Sequence, residues 1–179
     1  MRFTSRIILR ALRVRVKYRN ETRTALARGG CIVTCNHVSL LDGVIVALAS
    51  PVPMAFAVDT EFSRQSRWGR VGLAFVAWLG GHYVVPLDSS APFGMRKLSR
   101  MLQSGVNVTV FPEGVISLTG ERGIDRPGVG WLIRQTDARV LALEIVGAEK
   151  SRWFAKRGAM IWPKTVSYTH LTLPTKRIV

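Results

Sequence analysis

Cys31-Ile32-Val33-Thr34-Cys35 runs without a break into Asn36-His37-Val38-Ser39-Leu40-Leu41-Asp42. The first five residues are apolar or β-branched and follow Gly29-Gly30, the pattern of a short buried strand. The chain turns polar where that strand must end. An apolar stretch, about 41–49, comes next and is stopped by Pro51 and Pro53, which marks a helix. Strand, polar loop and helix together are the opening half of a βαβ unit. On such a strand Cys31 and Cys35 share a face. They read as two small buried hydrophobes, because a metal site needs further ligands at suitable spacing and none is in evidence.

Working outward, the same alternation repeats. Met54–Val58 reads as a short buried strand and 61–79 as a helix with Arg64, Arg67 and Arg70 on one face, ended by Gly80-Gly81. Tyr83–Leu87 is a strand, and 91–104 an amphipathic helix with Met95, Leu98 and Leu102 inward. Asn107–Phe111 is a strand, 128–136 a helix and 139–146 a final strand. Strands alternating with helices predict an α/β domain around a mixed, largely parallel sheet flanked by helices. The two longest stretches free of formal charge, 43–58 and 71–87, are broken by Pro or Gly. Neither reaches the ~20 apolar residues of a spanning helix.

The charge is lopsided: 26 Lys and Arg against 11 Asp and Glu, a formal +15. Such an excess implies an anionic partner, either nucleic acid or an anionic membrane surface. The aromatic residues sit mostly in apolar runs rather than between the basic ones, which argues against nucleic acid. In the first twenty residues Arg2, Arg6, Arg10, Arg13 and Lys17 recur at helical spacing beside Phe3, Ile7, Ala11 and Val14, widened by Ile8 and Leu12. Residues 1–17 therefore read as an amphipathic membrane-surface segment. A surface helix packed on its own domain is the alternative, and Val14–Tyr18 alternates with the period of a strand.

Val166-Ser167-Tyr168-Thr169-His170-Leu171-Thr172-Leu173-Pro174-Thr175 looks like a translated sequencing adapter. Residues 166–179 are accordingly expected to be a non-native tail, leaving 1–165 as the folded domain.

Two clusters carry chemistry, Asn36-His37 with Asp42, and Phe111-Pro112-Glu113-Gly114. Each lies just past a strand, where α/β proteins place their sites. A carboxylate five residues from a loop histidine can fix its tautomer and stabilise the imidazolium that forms on proton uptake. No Ser or Cys stands in a nucleophile elbow, and one-step transfer onto an alcohol would need none.

These residues resemble the glycerophospholipid acyltransferase family, which includes 1-acylglycerol-3-phosphate acyltransferase. Asn36, His37 and Asp42 match its N-H-x-x-x-x-D motif and Phe111–Gly114 its F-P-E-G motif, over about residues 10–165. The likeness is greatest to the acyltransferase domain of the bacterial bifunctional 2-acylglycerophosphoethanolamine acyltransferase/acyl-carrier-protein synthetase, carried by Asn36-His37-Val38-Ser39, Val85-Pro86-Leu87-Asp88 and Phe111–Gly114. In those proteins an adenylating domain follows.

The resemblance implies transfer of a fatty acyl group from an acyl thioester, of acyl-carrier protein or CoA, to a lysophospholipid hydroxyl. No other cofactor and no metal are implied. His37 is the implied base and Asp42 its orienting partner. Asn36, Phe111, Pro112, Glu113 and Gly114 are the implied substrate side. For Glu113 the residues leave two roles open, substrate contact or hydrogen bonding to nearby backbone. The implied place of work is the cytoplasmic face of a bacterial inner membrane, peripheral or monotopic.

Three positions depart from the pattern. Leu87 and Ile116 stand where the phosphatidate-making branch usually has arginines, and Ala142 stands where the fourth motif usually has proline. The first two favour a phosphodiester acceptor such as lysophosphatidylethanolamine over lysophosphatidic acid. The competing readings are a lysophosphatidic acid acyltransferase, a thioester hydrolase, and a catalytically inactive membrane-binding module.

Overall fold

A computed structural model describes residues 3–59, 77–78, 80–88, 92–117, 119, 123–150 and 166–172. In chain order these contain α1 (Phe3–Ala11), β1 (Val14–Val16), α2 (Asn20–Arg28), β2 (Ile32–Cys35), α3 (Asp42–Ala49), β3 (Met54–Asp59), β4 (Tyr83–Leu87), α4 (Phe93–Gln103), β5 (Asn107–Val110), α5 (Gly128–Thr136), β6 (Val140–Val146), a 3-10 turn (Ala148–Lys150) and β7 (Val166–Thr172). One seven-stranded sheet runs in the order β1-β7-β6-β2-β5-β3-β4. Every pairing is parallel except β6 with β7. The predicted α/β architecture is thus the observed one.

Strand β2 lies at the centre, with Thr34 opposite Val110 of β5 on one side and Ala142 of β6 on the other. Successive side chains of a strand point to opposite faces, and the core divides accordingly. Val33 and Cys35 join Ile45, Val46, Leu48, Phe56, Leu143 and Ile145 beneath α1 and α3. Ile32 joins Val85, Leu98, Leu102, Val108 and Leu132 beneath α4 and α5. Burial on both faces explains why β2 reads as a continuous apolar run rather than an alternating one.

Gly29 ends α2 at φ +80, and a Cβ there would meet the Gly105 carbonyl oxygen at 2.1 Å. Gly30 N–H donates to that same oxygen at 2.9 Å. Only glycine permits this backbone-on-backbone crossing, which sets β2 beside the turn leading into β5.

The structure adds detail at three places. The basic stripe at the N-terminus is not one helix: α1 stops at Ala11, Arg13 takes φ 55, and Val14–Val16 pairs as a strand. Helix α1 packs on α3 through Ser5 and Leu9, both buried, with Ile8 and Leu12 alongside. That leaves Phe3 and Ile7 facing out with Arg6 and Arg10. Helix α2 has no counterpart in the sequence reading. Residues 166–172, left out of the fold by that reading, form β7, antiparallel to β6 and parallel to β1. A segment rich in Val, Tyr and Thr is β-prone, and the outer edge of β6 offers unpaired backbone groups to it.

The helix expected over 61–79 lies outside the described residues apart from 77–78. Among the described residues no helix is long and apolar enough to cross a membrane.

Candidate active site

Because β2 and β5 are parallel neighbours, the loops after them emerge at the same edge of the sheet. The first loop begins with Asn36. Its Nδ2 donates to the Ile145 carbonyl at 2.9 Å and its Oδ1 accepts the Ile145 N–H at 2.7 Å. One side-chain amide therefore replaces a peptide in the ladder and ties the end of β2 to β6. Asn36 acts on the backbone, and it fixes where the next residue starts.

That residue is His37. Its Nδ1 lies 3.0 Å from Asp42 Oδ2, with the His side chain 20% exposed and the Asp side chain at 0%. The same Oδ2 accepts the N–H groups of Val38 and Ser39, both at 2.7 Å. Asp42 opens α3, where a carboxylate also meets the positive end of the helix dipole. The loop closes on itself, with Ser39 Oγ accepting the Leu41 N–H at 3.1 Å.

Burial pushes the Asp42 carboxyl up from its ordinary range. The hydrogen bond and charge of His37, and the two backbone N–H groups, pull the other way without cancelling it. With the carboxylate as acceptor, the proton of a neutral His37 sits on Nδ1. Nε2 is then left with the lone pair.

The F-P-E-G turn clamps His37 from the other side. Glu113, 4% exposed, accepts the His37 N–H on Oε1 at 3.1 Å and the Gly123 N–H on Oε2 at 2.8 Å. Ser117 N–H donates to the His37 carbonyl at 2.7 Å. The Phe111 ring stacks on the imidazole, centroids 4.4 Å apart and 28° between planes. Pro112 is buried and its carbonyl accepts the Arg126 N–H at 2.8 Å, while Gly114, at φ +66, closes the turn onto the Phe111 carbonyl.

Of the two roles open for Glu113, hydrogen bonding to nearby backbone is seen in the structure. Both carboxylate oxygens are occupied by N–H groups of two different loops. The sequence does not reveal the Phe111 stacking or the tie to Gly123. The only signal for either is an aromatic and an acid placed directly after a strand.

The remaining candidates lie elsewhere. Cys31 and Cys35 are free and buried. Burial raises both thiols, opposed at Cys31 by Arg139 and reinforced at Cys35 by the acids Asp42, Glu113 and Glu144, which disfavours the thiolate form. His82 is a buried staple. Its Nδ1 accepts the Met54 N–H at 3.1 Å, its Nε2–H donates to the Ala47 carbonyl at 2.9 Å, and its ring meets Phe56 edge-on. Among the described residues no cluster of His, Cys, Asp and Glu could hold a metal ion.

A histidine whose Nδ1 faces a buried carboxylate, and which is held by its own peptide groups, can take a proton from an alcohol. Residues 13–146 match the Acyltransferase family, and the chain belongs to it. The protein is an acyltransferase. Among solved structures it is similar to the 1-acyl-sn-glycerophosphate (LPA) acyltransferase, PlsC, from Thermotoga maritima. The two share 20% of residues at a TM-score of 0.59, over 96% of this chain and 72% of that one. At that identity the likeness carries the fold, a largely parallel sheet flanked by helices.

Proposed function

We propose that the chain moves a fatty acyl group from an acyl thioester, of acyl-carrier protein or CoA, to the free hydroxyl of a lysophospholipid. The contact between His37 Nδ1 and the buried Asp42 carboxylate carries this reading. His37 Nε2 takes the hydroxyl proton as the oxygen attacks the thioester carbonyl. Asp42 stabilises the imidazolium so formed. The tetrahedral adduct collapses, the C–S bond breaks, and the imidazolium returns the proton to the departing thiolate. Phe111 stacked on the ring, and Glu113 and Ser117 on its peptide groups, hold the imidazole in place for both transfers.

For the acceptor we infer lysophosphatidylethanolamine. Leu87 and Ile116 offer no charge at two places where the phosphatidate-making branch has arginines, so a phosphomonoester with nearly two charges would lose two bidentate partners there. Each missing charge-assisted bond is worth about 1.5–3 kcal/mol, so kcat/KM should favour lysophosphatidylethanolamine over lysophosphatidic acid by about tenfold or more. Assaying both acceptors at one donor concentration decides it. Equal or better use of lysophosphatidic acid would return the chain to the phosphatidate-making branch. Resemblance of the 36–39, 85–88 and 111–114 runs to the bifunctional 2-acylglycerophosphoethanolamine acyltransferase/acyl-carrier-protein synthetase supports the same choice.

The place of work we infer is the cytoplasmic face of a bacterial inner membrane, with α1 on the lipid. Phe3 is 78% and Ile7 53% exposed on the side that also carries Arg6 and Arg10. An apolar pair flanked by arginines suits the boundary between acyl chains and anionic headgroups. Because Leu9 is buried, the test must spare it. Phe3→Ser with Ile7→Ser should reduce co-sedimentation with anionic vesicles at unchanged melting temperature. Arg6→Gln with Arg10→Gln should flatten its salt dependence. Unaltered co-sedimentation in both double variants would place the membrane contact elsewhere.

A further inference from the structure

The acceptor's phosphate and its free hydroxyl sit on one glycerol, a few bonds apart, so whatever binds the phosphate must lie close to His37. The two positions that would ordinarily offer an arginine hold Leu87 and Ile116, both apolar. A different cation occupies the neighbourhood. Arg126 is exposed, and its side chain passes close over Gly114. A Cβ on that glycine would come within 2.6 Å of Arg126 Nε and 2.8 Å of its Cδ and Cζ. The backbone of Arg126 is anchored to the same turn through the Pro112 carbonyl. Gly114 itself stands between Glu113, which holds the His37 N–H, and Ser117, which holds the His37 carbonyl. The guanidinium therefore rests on the turn that grips the base from both sides.

We propose that Arg126 is the phosphate anchor of the acceptor subsite. The proposal rests on the lysophospholipid reading above. Three further features agree with it. The one ion pair between side chains of the described residues is His37 with Asp42, so no carboxylate there competes for this guanidinium. Arg126 lies two residues before α5, whose first turn contains no acid, so the positive end of that helix adds to the field at the same place. A guanidinium presents two parallel N–H groups to the two free oxygens of a phosphodiester, and its single charge matches that group's single charge. A Cβ at position 114 would displace it, which gives Gly114 a role in binding as well as in the turn.

The test measures binding separately from turnover. Equilibrium binding of a short-chain monoacyl glycerophosphoethanolamine, and of the monoacylglycerol of the same chain length, is measured without donor on wild type, Arg126→Gln and Arg126→Lys. Kinetics with donor follow. Arg126→Gln should weaken binding of the phospholipid and raise its KM by about tenfold or more, with kcat changed by only a few-fold. Binding of the phosphate-free acceptor should not change, and Arg126→Lys should recover part of the loss.

Unchanged phospholipid affinity in Arg126→Gln, or an equal loss for both acceptors, overturns the anchor. Inorganic phosphate should displace the lysolipid only weakly. Displacement at equal affinity would make this a free-phosphate site and overturn the lipid assignment. Phospholipid binding that depends on Arg126 in a protein that transfers no acyl group would leave the anchor standing and overturn acyl transfer instead.

Discussion

His37→Ala abolishes measurable acyl transfer and leaves the domain folded. Loss of a general base costs typically about 10²–10⁴-fold, and among the described side chains no second histidine is placed to take over the proton. His82 has both ring nitrogens engaged with backbone groups of Met54 and Ala47, toward the opposite end of α3 from the loop. The fold survives because the loop is held by peptide groups rather than by the imidazole. Glu113 keeps the His37 N–H, Ser117 keeps its carbonyl, and Asp42 Oδ2 keeps the N–H groups of Val38 and Ser39. What the substitution removes is one partly exposed ring, its stacking on Phe111 and one hydrogen bond to Asp42. The measurement is kcat/KM with product identification, alongside thermal unfolding. Activity within a few-fold of wild type would remove His37 as the base. Free fatty acid as the main wild-type product would make the enzyme a thioester hydrolase.

Much of this site could be read before any coordinates, and the reason is local. His37 and Asp42 are five residues apart in one loop, so their contact depends on a single turn and little on the remainder of the fold. Strand β2 announces itself because burial on both faces makes it largely apolar, whereas β5 alternates the buried polar residues Asn107 and Thr109 with Val108 and Val110 and is marked by its β-branched content. Helix α2 could have been found too. Glu21 in its first turn, Thr22, Ala25 and Leu26 at helical spacing and Gly29 as its cap are ordinary signals, obscured by the arginines between them. The N-terminal stripe left helix and strand both open for a physical reason. A repeat of basic residues every three or four positions has helical period, but it does not oblige the chain to continue a helix. Backbone pairing of Val14–Val16 in the sheet prevailed over that period.

The roles of Glu113 and Arg126 needed three dimensions. Each joins segments that the sequence holds apart, residue 113 to residues 37 and 123, and residue 126 to residue 114. No pattern within one element encodes such pairs. The sheet edge brings them together only once β2 and β5 are side by side.

Asp42→Asn should separate activity from stability. The asparagine carbonyl can take the place of Oδ2 and accept from His37, Val38 and Ser39, so the imidazole keeps its position. The charge that stabilises the imidazolium is lost, and transfer should fall about 10³–10⁴-fold. Stability responds differently because of where Asp42 sits. Its side chain is fully buried, and Oδ1 has no hydrogen-bond partner among the described residues. Burial is the largest influence on its carboxyl and raises the pKa.

A carboxyl with a higher pKa folded than unfolded binds more protons in the native state, so stability falls as pH rises from the unfolded value of 3.8 through the folded one. At neutral pH the wild type bears that cost in full and the asparagine does not. Against this, an amide NH₂ at the Oδ1 position lacks an acceptor, a cost of about 1–3 kcal/mol. The two effects oppose each other, so the melting temperature at neutral pH should stay within about 2–4 °C of wild type, the shift produced by about 1 kcal/mol in a chain of this size. Below the folded pKa the wild type gains a proton and its advantage over the variant should grow. Melting curves of both proteins from acid to neutral pH check the sign. A variant that loses ground as pH rises would mean the ionised Asp42 is a net stabiliser, and activity within tenfold of wild type would mean His37 works without its carboxylate.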